Sequence, residues 1–380
     1  MKKYFVFIFF LLLMCIFIPG TAQAKGSSAF EYETVSEGEN ACCITEIRIK
    51  KDKGISVLKI PGTINGKIVV SIGPGLRDEK NDDPLLQNVF GLYEWVDGDQ
   101  SYKNWSCDSK EQKKRTMKIK KVILPDSVKL VKEYCFATLK GLKTVKLPQS
   151  LTTIGESAFI TTPRLKTIHI PANVKDGVTG MKEADFSWRN FTVSKGNPYY
   201  KMKKGMMFSK DGKAIYELMI SKKNIRIPDS VETLKAGAFY NKSIESVYLG
   251  AGVKEIEYGA LSTKKTCKVT LSSSNPHLAR SGMCIYHRKN KSLVVGIPKS
   301  RYENIWPKIT KQRIYYLKIS RKIKKLDNDI SIVGVGKKYR ARKVYIPKSV
   351  ETIVYGWSIR EFVHKKCTYI TERNYWTFQP

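Results

Sequence analysis

The chain has 380 residues, 42% of them hydrophobic, and sets 68 lysines and arginines against 34 acidic residues, a formal net charge of +34. A field of that size attracts polyanions and speeds their encounter; the plainer reading is that lysine solubilises a long surface. After Ile18 no apolar run approaches the ~20 residues that span a bilayer, which excludes a polytopic membrane protein. The N-terminus reads as a leader: Lys2-Lys3, an apolar run from Tyr4 to Ile18, then Pro19-Gly20 and Ala22-Gln23-Ala24. The run is too short for an anchor, and Met14 before Cys15 argues against a lipoprotein. Cleavage is expected near Ala24, leaving a soluble, exported chain 25–380 whose charge, less Lys2 and Lys3, is +32.

The mature chain keeps Cys42, Cys43, Cys107, Cys135, Cys267, Cys284 and Cys367, an odd set that cannot pair fully within one chain. Cys135 falls in a slot filled elsewhere by Ala158 and Ala238, so it is expected to be a packed thiol. One or two disulfides can form; Cys42 or Cys43 with Cys107 is the expected pairing, although the sequence does not specify it. The spacings show no metal signature.

An internal repeat dominates the rest. Val122-x-Leu124-Pro125 returns as Val145-x-Leu147-Pro148 and Ile168-x-Ile170-Pro171. The template apolar-x-x-apolar-x-apolar fits eleven stretches, mostly 22–23 residues apart. The first copy holds Leu58 and Ile60; later ones include Phe191/Val193, Ile225/Ile227, Val247/Leu249, Val269/Leu271, Val295/Ile297, Leu317/Ile319 and Val344/Ile346. The alternation is that of a short strand with one buried face, which proline then ends. The following phrase, such as Leu151-x-x-Ile154 with Ala158-Phe159, points apolar groups inward from a turn or short helical segment. One copy cannot cover its own apolar side, but stacked copies can. The expected fold is a β-rich α/β solenoid of stacked 22–23-residue rungs, with short strands on one face and turns or short helical segments on the other.

Ile227-Pro228-Asp229-Ser230-Val231 through Ala238-Phe239 resembles the BspA-type leucine-rich repeat of bacterial surface proteins. Asn197-Pro198-Tyr199-Tyr200 through Ser209-Lys210-Asp211-Gly212-Lys213 is similar to a hairpin insertion of that family. A degenerate second copy runs from Asn275-Pro276 to Lys291. Phe30 to Glu33 and Pro61 to Lys67 look like its entry segment and first rung. The resemblance implies a leucine-rich-repeat solenoid, secreted or on the cell surface, that binds or adheres to other macromolecules. The expected organisation is a leader (1–24), an N-terminal cap and first rung (25–72), an insertion (73–118), the solenoid (119–356) and a C-terminal cap (357–380).

The insertion holds an acidic patch, Trp95, Trp105, Cys107 and a basic run from Lys110. It reads as a covering loop or as a binding loop; Asp97 and Asp99 are a weak calcium signal. No catalytic motif stands in the chain, and neither enzymatic activity nor a cofactor is expected. Cys284 and His287 stand on the degenerate hairpin, where facing positions account for them without chemistry. The outward strand residues form a column running Lys59, Ile123, Lys146, His169, Thr192, Arg226, Tyr248, Thr270, Gly296, Lys318, Tyr345. Within it Lys146, His169, Arg226, Tyr248, Lys318 and Tyr345 are the candidate ligand-binding residues, because cations meet charge and rings stack on sugars. The expected partner is an extracellular macromolecule, a protein or an anionic polysaccharide; no dedicated nucleic-acid motif appears. The alternative is a structural cell-envelope spacer with no specific ligand. No LPxTG sorting signal is present, so any attachment is expected to be noncovalent.

Overall fold

The computed structural model describes residues 22–24, 30–49, 55–74, 86–87, 89–90, 93–94, 105–106, 114–155, 158–160, 162–176, 190–219, 223–240, 242–305, 310–327, 330–336, 338–353 and 367–372. Residues 1–21 of the expected leader, most of the 73–118 insertion with Asp97, Asp99 and Cys107, and most of the segment after residue 356 lie outside the described residues. The chain divides into two compact units, Met1–Leu165 and Lys166–Pro380. Both are β-rich. Among the described residues, α-helix is confined to 114–116, so the phrase after each strand is built of turns, not helical segments. The phrase often holds a glycine and is shorter than the ~12–15 residues at which an isolated helix becomes even marginally stable.

In the first unit, Val57–Lys59, Lys121–Ile123 and Thr144–Lys146 form a parallel sheet in which Leu58, Val122 and Val145 share one register position. Leu58 and Val122 are fully buried, as the period-2 pattern requires. A second face stacks Lys67–Ile72, Leu130–Val131 and Thr153–Ile154, also parallel. A third side consists of turns. There the Phe136 amide donates to Ala158 O (2.8 Å) and the Thr138 amide to Ile160 O (2.8 Å). Phe136 and Phe159, both fully buried, stack with centroids 5.6 Å apart. Antiparallel strands Phe30–Ser36 and Ala41–Ile49 lead into Lys67–Ile72, and Ala22–Ala24 pairs with the outer edge of Phe30–Ser36.

The second unit repeats the plan. One face carries the pair Thr167–Ile170 and Asn190–Val193, then Asn224–Arg226, Ser246–Leu249 and Lys268–Leu271, and then Thr310–Lys318, Ala341–Ile346 and Thr368–Thr371. The second face stacks Ala214–Leu218, Thr233–Leu234 and Glu255–Ile256. On the third side the Phe239 amide donates to Ala260 O (2.8 Å).

The polar residues of the repeat motif join one rung to the next. Ser150 Oγ donates to Val128 O (2.8 Å), and Ser349 Oγ to Ile323 O (3.1 Å). Asp229 Oδ1 accepts from the Ala251 amide (2.7 Å). Glycine in the phrase marks close approach: a Cβ at Gly155 would fall on the backbone of Lys132 and Glu133.

Both hairpin insertions hang on a buried asparagine. Asn197 Nδ2 donates to Pro171 O (2.9 Å) and Val174 O (3.0 Å), while its Oδ1 accepts from the amides of Tyr199 and Tyr200. Asn275 does the same with Gly250 O, Val253 O and the amides of His277 and Leu278. Each carboxamide thus ties the start of its hairpin to the preceding rung. Three antiparallel strands follow, Tyr200–Lys203, Met206–Ser209 and Ala214–Leu218 in the first insertion, and Leu278–Ser281, Cys284–His287 and Leu293–Gly296 in the second.

This pairing corrects one template position. Leu293–Gly296 is the last strand of a hairpin and pairs with Ser331–Ile332, whose Ser331 Oγ accepts from the Leu261 amide on the turn side, so Val295 and Gly296 lie off the rung-strand face. All four of its residues are buried. The template reads apolar spacing, and a strand buried on both sides satisfies it as well as a rung does. The outward column therefore does not pass through Gly296.

Two stability predictions follow from this packing. Phe159→Ala and Phe239→Ala each remove a fully buried ring and should cost about 3–5 kcal/mol; urea midpoints equal to the parent's would place these rings outside the core. Asn275→Asp keeps the shape but cannot donate, and should cost about 1–3 kcal/mol for each buried carbonyl left unpaired. An unchanged urea midpoint for that variant would refute the role given to the carboxamide.

Candidate functional site

In-register parallel pairing stacks the outward residue of one rung on that of the next. In the first unit the ladder is Lys59, Ile123, Lys146, flanked by Val57, Lys121, Thr144. Lys146 is exposed and points away from the core. It stands on the same ladder as Lys59, with Ile123 between them.

In the second unit His169 pairs with Thr192, and its Nδ1 lies 2.9 Å from Thr192 Oγ1. The next ladder is Arg226, Tyr248, Thr270. The Arg226 guanidinium carbon sits 4.0 Å from the Tyr248 ring centroid, a stacked cation–π contact. Stacking uses the flat face of the guanidinium and leaves its N–H edge for an anion. Beside this ladder Ser246 Oγ donates to Asn224 Oδ1 (2.6 Å).

The last ladder is Lys318, Tyr345, Ile370, beside Tyr316, Lys343, Thr368. Tyr316 and Tyr345 meet edge to face, centroids 6.3 Å apart. Lys318 is exposed and Tyr345 half-buried. The structure adds a residue that the template missed. Arg301, on the strand Lys299–Ile305 that pairs antiparallel with Thr310–Lys318, lies 4.6 Å from the Tyr316 ring and 5.8 Å from that of Tyr345. Its Nη2 donates to the Tyr345 hydroxyl (2.7 Å). Arg301 falls outside the repeat, and the alternation in Lys299-Ser300-Arg301-Tyr302 was the only signal for it. The candidate residues thus form separate small groups: Arg226 with Tyr248, Tyr345 with Lys318 and Arg301, His169 with Thr192, and Lys146 with Lys59.

The charge is distributed unevenly between the faces. None of the eleven described rung strands on this face contains Asp or Glu. Acids gather on the second face of the second unit. There Glu232 sits between Lys213 (2.9 Å) and Lys254 (2.6 Å), and Lys235 meets Glu257 (2.5 Å). Hydrogen bonds from Lys213 and then Lys254 pull the Glu232 carboxyl down to about 2.

Among the described residues the cysteines offer no reactive thiolate on this face. Burial pushes Cys284 up to about 12, and fully buried Cys135 well above the ordinary thiol range. Cys135 is the packed thiol that the repeat slot required. Cys42 and Cys43 are buried free thiols in Ala41–Ile49. Among the described residues no helix is long and apolar enough to cross a membrane, and no group of three or more His, Cys, Asp or Glu is placed to hold a metal ion.

Residues 112–192 and 212–289 match, in six copies, the family described as the BspA type leucine rich repeat region. No curated protein matches the chain. Similar solved structures include the pneumococcal vaccine antigen PcpA, at 13% identity over 93% of this chain and 94% of that one, with a TM-score of 0.41. A leucine-rich cell surface protein from Faecalibacterium prausnitzii A2-165 is 14% identical over 94% of this chain and 96% of its own, TM-score 0.35. A leucine-rich-repeat protein from Eubacterium ventriosum ATCC 27560 is 14% identical over 93% and 85%, TM-score 0.41. Proteins built on BspA-type repeats are generally surface-associated and non-enzymatic. The spacing, the inter-rung serine and aspartate bonds and the buried Ala-Phe turns agree with the family match: the rungs within residues 112–192 and 212–289 are BspA-type leucine-rich repeats.

Proposed function

We propose that the chain is an exported surface protein whose strand face binds an anionic macromolecule, a polysaccharide of the cell wall or host or an acidic glycoprotein. The observation that carries this reading is the absence of carboxylates from the rung strands, where Lys146, Arg226 and Lys318 stand among Tyr248, Tyr316 and Tyr345, with Arg301 reaching the last two rings from the neighbouring strand. A polyanion approaching the ladders meets cations that share no rung strand with an acid; the flanking Glu245 is held by Lys223 (3.1 Å). Counterions released from the polymer supply much of the binding free energy, and stacking on tyrosine adds a part that salt does not screen.

Two variants of equal net charge test the face. One changes Lys146, Arg226 and Lys318 to Ser; the other changes the exposed lysines Lys203, Lys265 and Lys322 to Ser. On heparin and on wall teichoic acid, the first should weaken binding about tenfold more than the second, and the parent's affinity should fall steeply between low and physiological salt. Equal losses would make the charge a diffuse field with no site. No binding to either polymer would favour the spacer reading.

Export is tested separately. Cleavage after Ala24 would remove the strand Ala22–Ala24 from the edge of Phe30–Ser36. N-terminal sequencing of protein recovered from the medium or cell surface should begin at Lys25, and intact Met1 protein in the membrane fraction would count against export.

A further inference from the structure

The two hairpin insertions have the same framework and different chemistry. Strand pairing aligns them residue by residue: Tyr200 pairs with Ser209 in the first, and Leu278 with His287 in the second. Asn197 and Asn275 hold both in place. At matched positions Tyr199 becomes His277, Ser209 becomes His287, Lys210 becomes Arg288 and Asp211 becomes Lys289.

Three of the four changes add cationic capacity, the fourth exchanges lysine for arginine, and the structure shows how the fold tolerates them. In the first hairpin Asp211 closes the turn, accepting from Ser209 Oγ (2.5 Å) and the Lys213 amide (2.9 Å). In the second, the neutral Asn290 does this, its Oδ1 accepting from the amide (3.0 Å) and hydroxyl (2.9 Å) of Ser292. Position 289 is thereby released from closing the turn and carries an exposed lysine. Lys210 spends its ammonium on Asn197 O (2.7 Å). Arg288 makes the corresponding bond through Nε, to Asn275 O (3.2 Å) and Leu278 O (2.9 Å). A guanidinium has five N–H groups, so its terminal nitrogens remain for a ligand.

These residues line an open cleft of about 480 Å3 with Lys254, His277, His287 and Asn290. The charged groups around His287 are Glu255 and Asp327, which favour its protonated form, and His277, which opposes it. Lys254 shares Glu232 with Lys213. Arg288 and Lys289 form no ion pair among the described residues.

We propose that this cleft is an oxyanion site, taking a phosphate or sulfate group between Arg288, Lys289 and the two imidazoles. It lies on the second hairpin, apart from the strand-face ladders, and does not depend on the reading given to them. Burial lowers the affinity of His287 for its proton, so near neutral pH the imidazole is mostly uncharged. A bound dianion favours the imidazolium, and affinity should rise as pH falls through the histidine range.

The test is proton NMR of the histidine imidazoles in the full exported chain at low ionic strength, titrated with inorganic sulfate and, separately, inorganic phosphate. His277→Gln and His287→Gln assign the signals. Saturable shifts are expected at His277 and His287 and none at His169; for sulfate, a dianion throughout, affinity should be about tenfold higher near pH 5.5 than near pH 7.5. Lys289→Asp restores the first hairpin's residue on a solvent-exposed turn and should weaken binding about tenfold or more. The strand-face triple variant should bind as the parent does, and the tighter anion identifies the ester class. Shifts that grow linearly at every histidine, or unchanged affinity in Lys289→Asp, would overturn the site.

Discussion

A rung of about 23 residues has an apolar side that it cannot bury by itself, and this deficit organises everything else in the chain. Burial comes only when the next rung lies on it in register, about 4.8 Å away. Register is then strict, because a slip of one residue would turn Leu58, Val122 and their counterparts outward. The strand pairs hold this register on both faces. Position in the repeat therefore becomes position in space. Alanine and phenylalanine meet their own kind on the turn side, serine and aspartate reach the neighbouring rung, and outward residues line up as ladders.

The same constraint explains how insertions are admitted. A hairpin interrupts the stack and exposes carbonyls of the rung before it. The buried Asn197 and Asn275 meet that need, with two donors for the rung and one acceptor for the two amides that begin the hairpin. Once the carboxamide fixes the base, the residues of the turn are free to change. The contrast between Asp211 and Lys289 shows this: the turn closes in either case, by the carboxylate in one and by Asn290 in the other. Chemistry varies where the framework no longer depends on it.

Much of this was legible in the sequence, because the stack repeats its requirements at fixed spacing. The rung strands, the buried phenylalanines and the packed Cys135 all follow from periodicity. Three things did not. Leu293–Gly296 satisfies the apolar template but is a hairpin strand buried on both sides, and spacing does not tell one side of a three-sided rung from another. Arg301 reaches Tyr345 from a strand outside the repeat, so no column of repeat positions could include it. Tyr134 takes a left-handed backbone, with φ 53°, at the place where Gly237 and Gly259 stand with φ 63° and 61°. The glycines announce that turn and the tyrosine conceals it, at a backbone cost of about 1–2 kcal/mol. The candidate site was legible as a column of residue types; the contacts that group Arg226 with Tyr248, and Arg301 with Tyr316 and Tyr345, depend on tertiary pairing.

Stacked rungs also create an electrostatic problem that the two faces solve differently. Residues at one position of neighbouring rungs lie about 5 Å apart, so like charges on successive rungs repel. On the second face of the second unit, opposite charges alternate, with Lys213, Glu232 and Lys254 on successive rungs. On the strand face, the ladders place an uncharged residue beside each lysine or arginine: Lys59, Ile123, Lys146; Arg226, Tyr248, Thr270; Lys318, Tyr345, Ile370; Tyr316, Lys343, Thr368. Both arrangements relieve repulsion equally well as far as folding is concerned. They differ in what they leave over. Alternating acids neutralise the cations locally, whereas neutral and aromatic spacers keep each cation available and put a ring beside it. Within the rung strands no acid competes for the lysines and arginines of the ladders, and this is the physical ground for the proposal that they meet a polyanion.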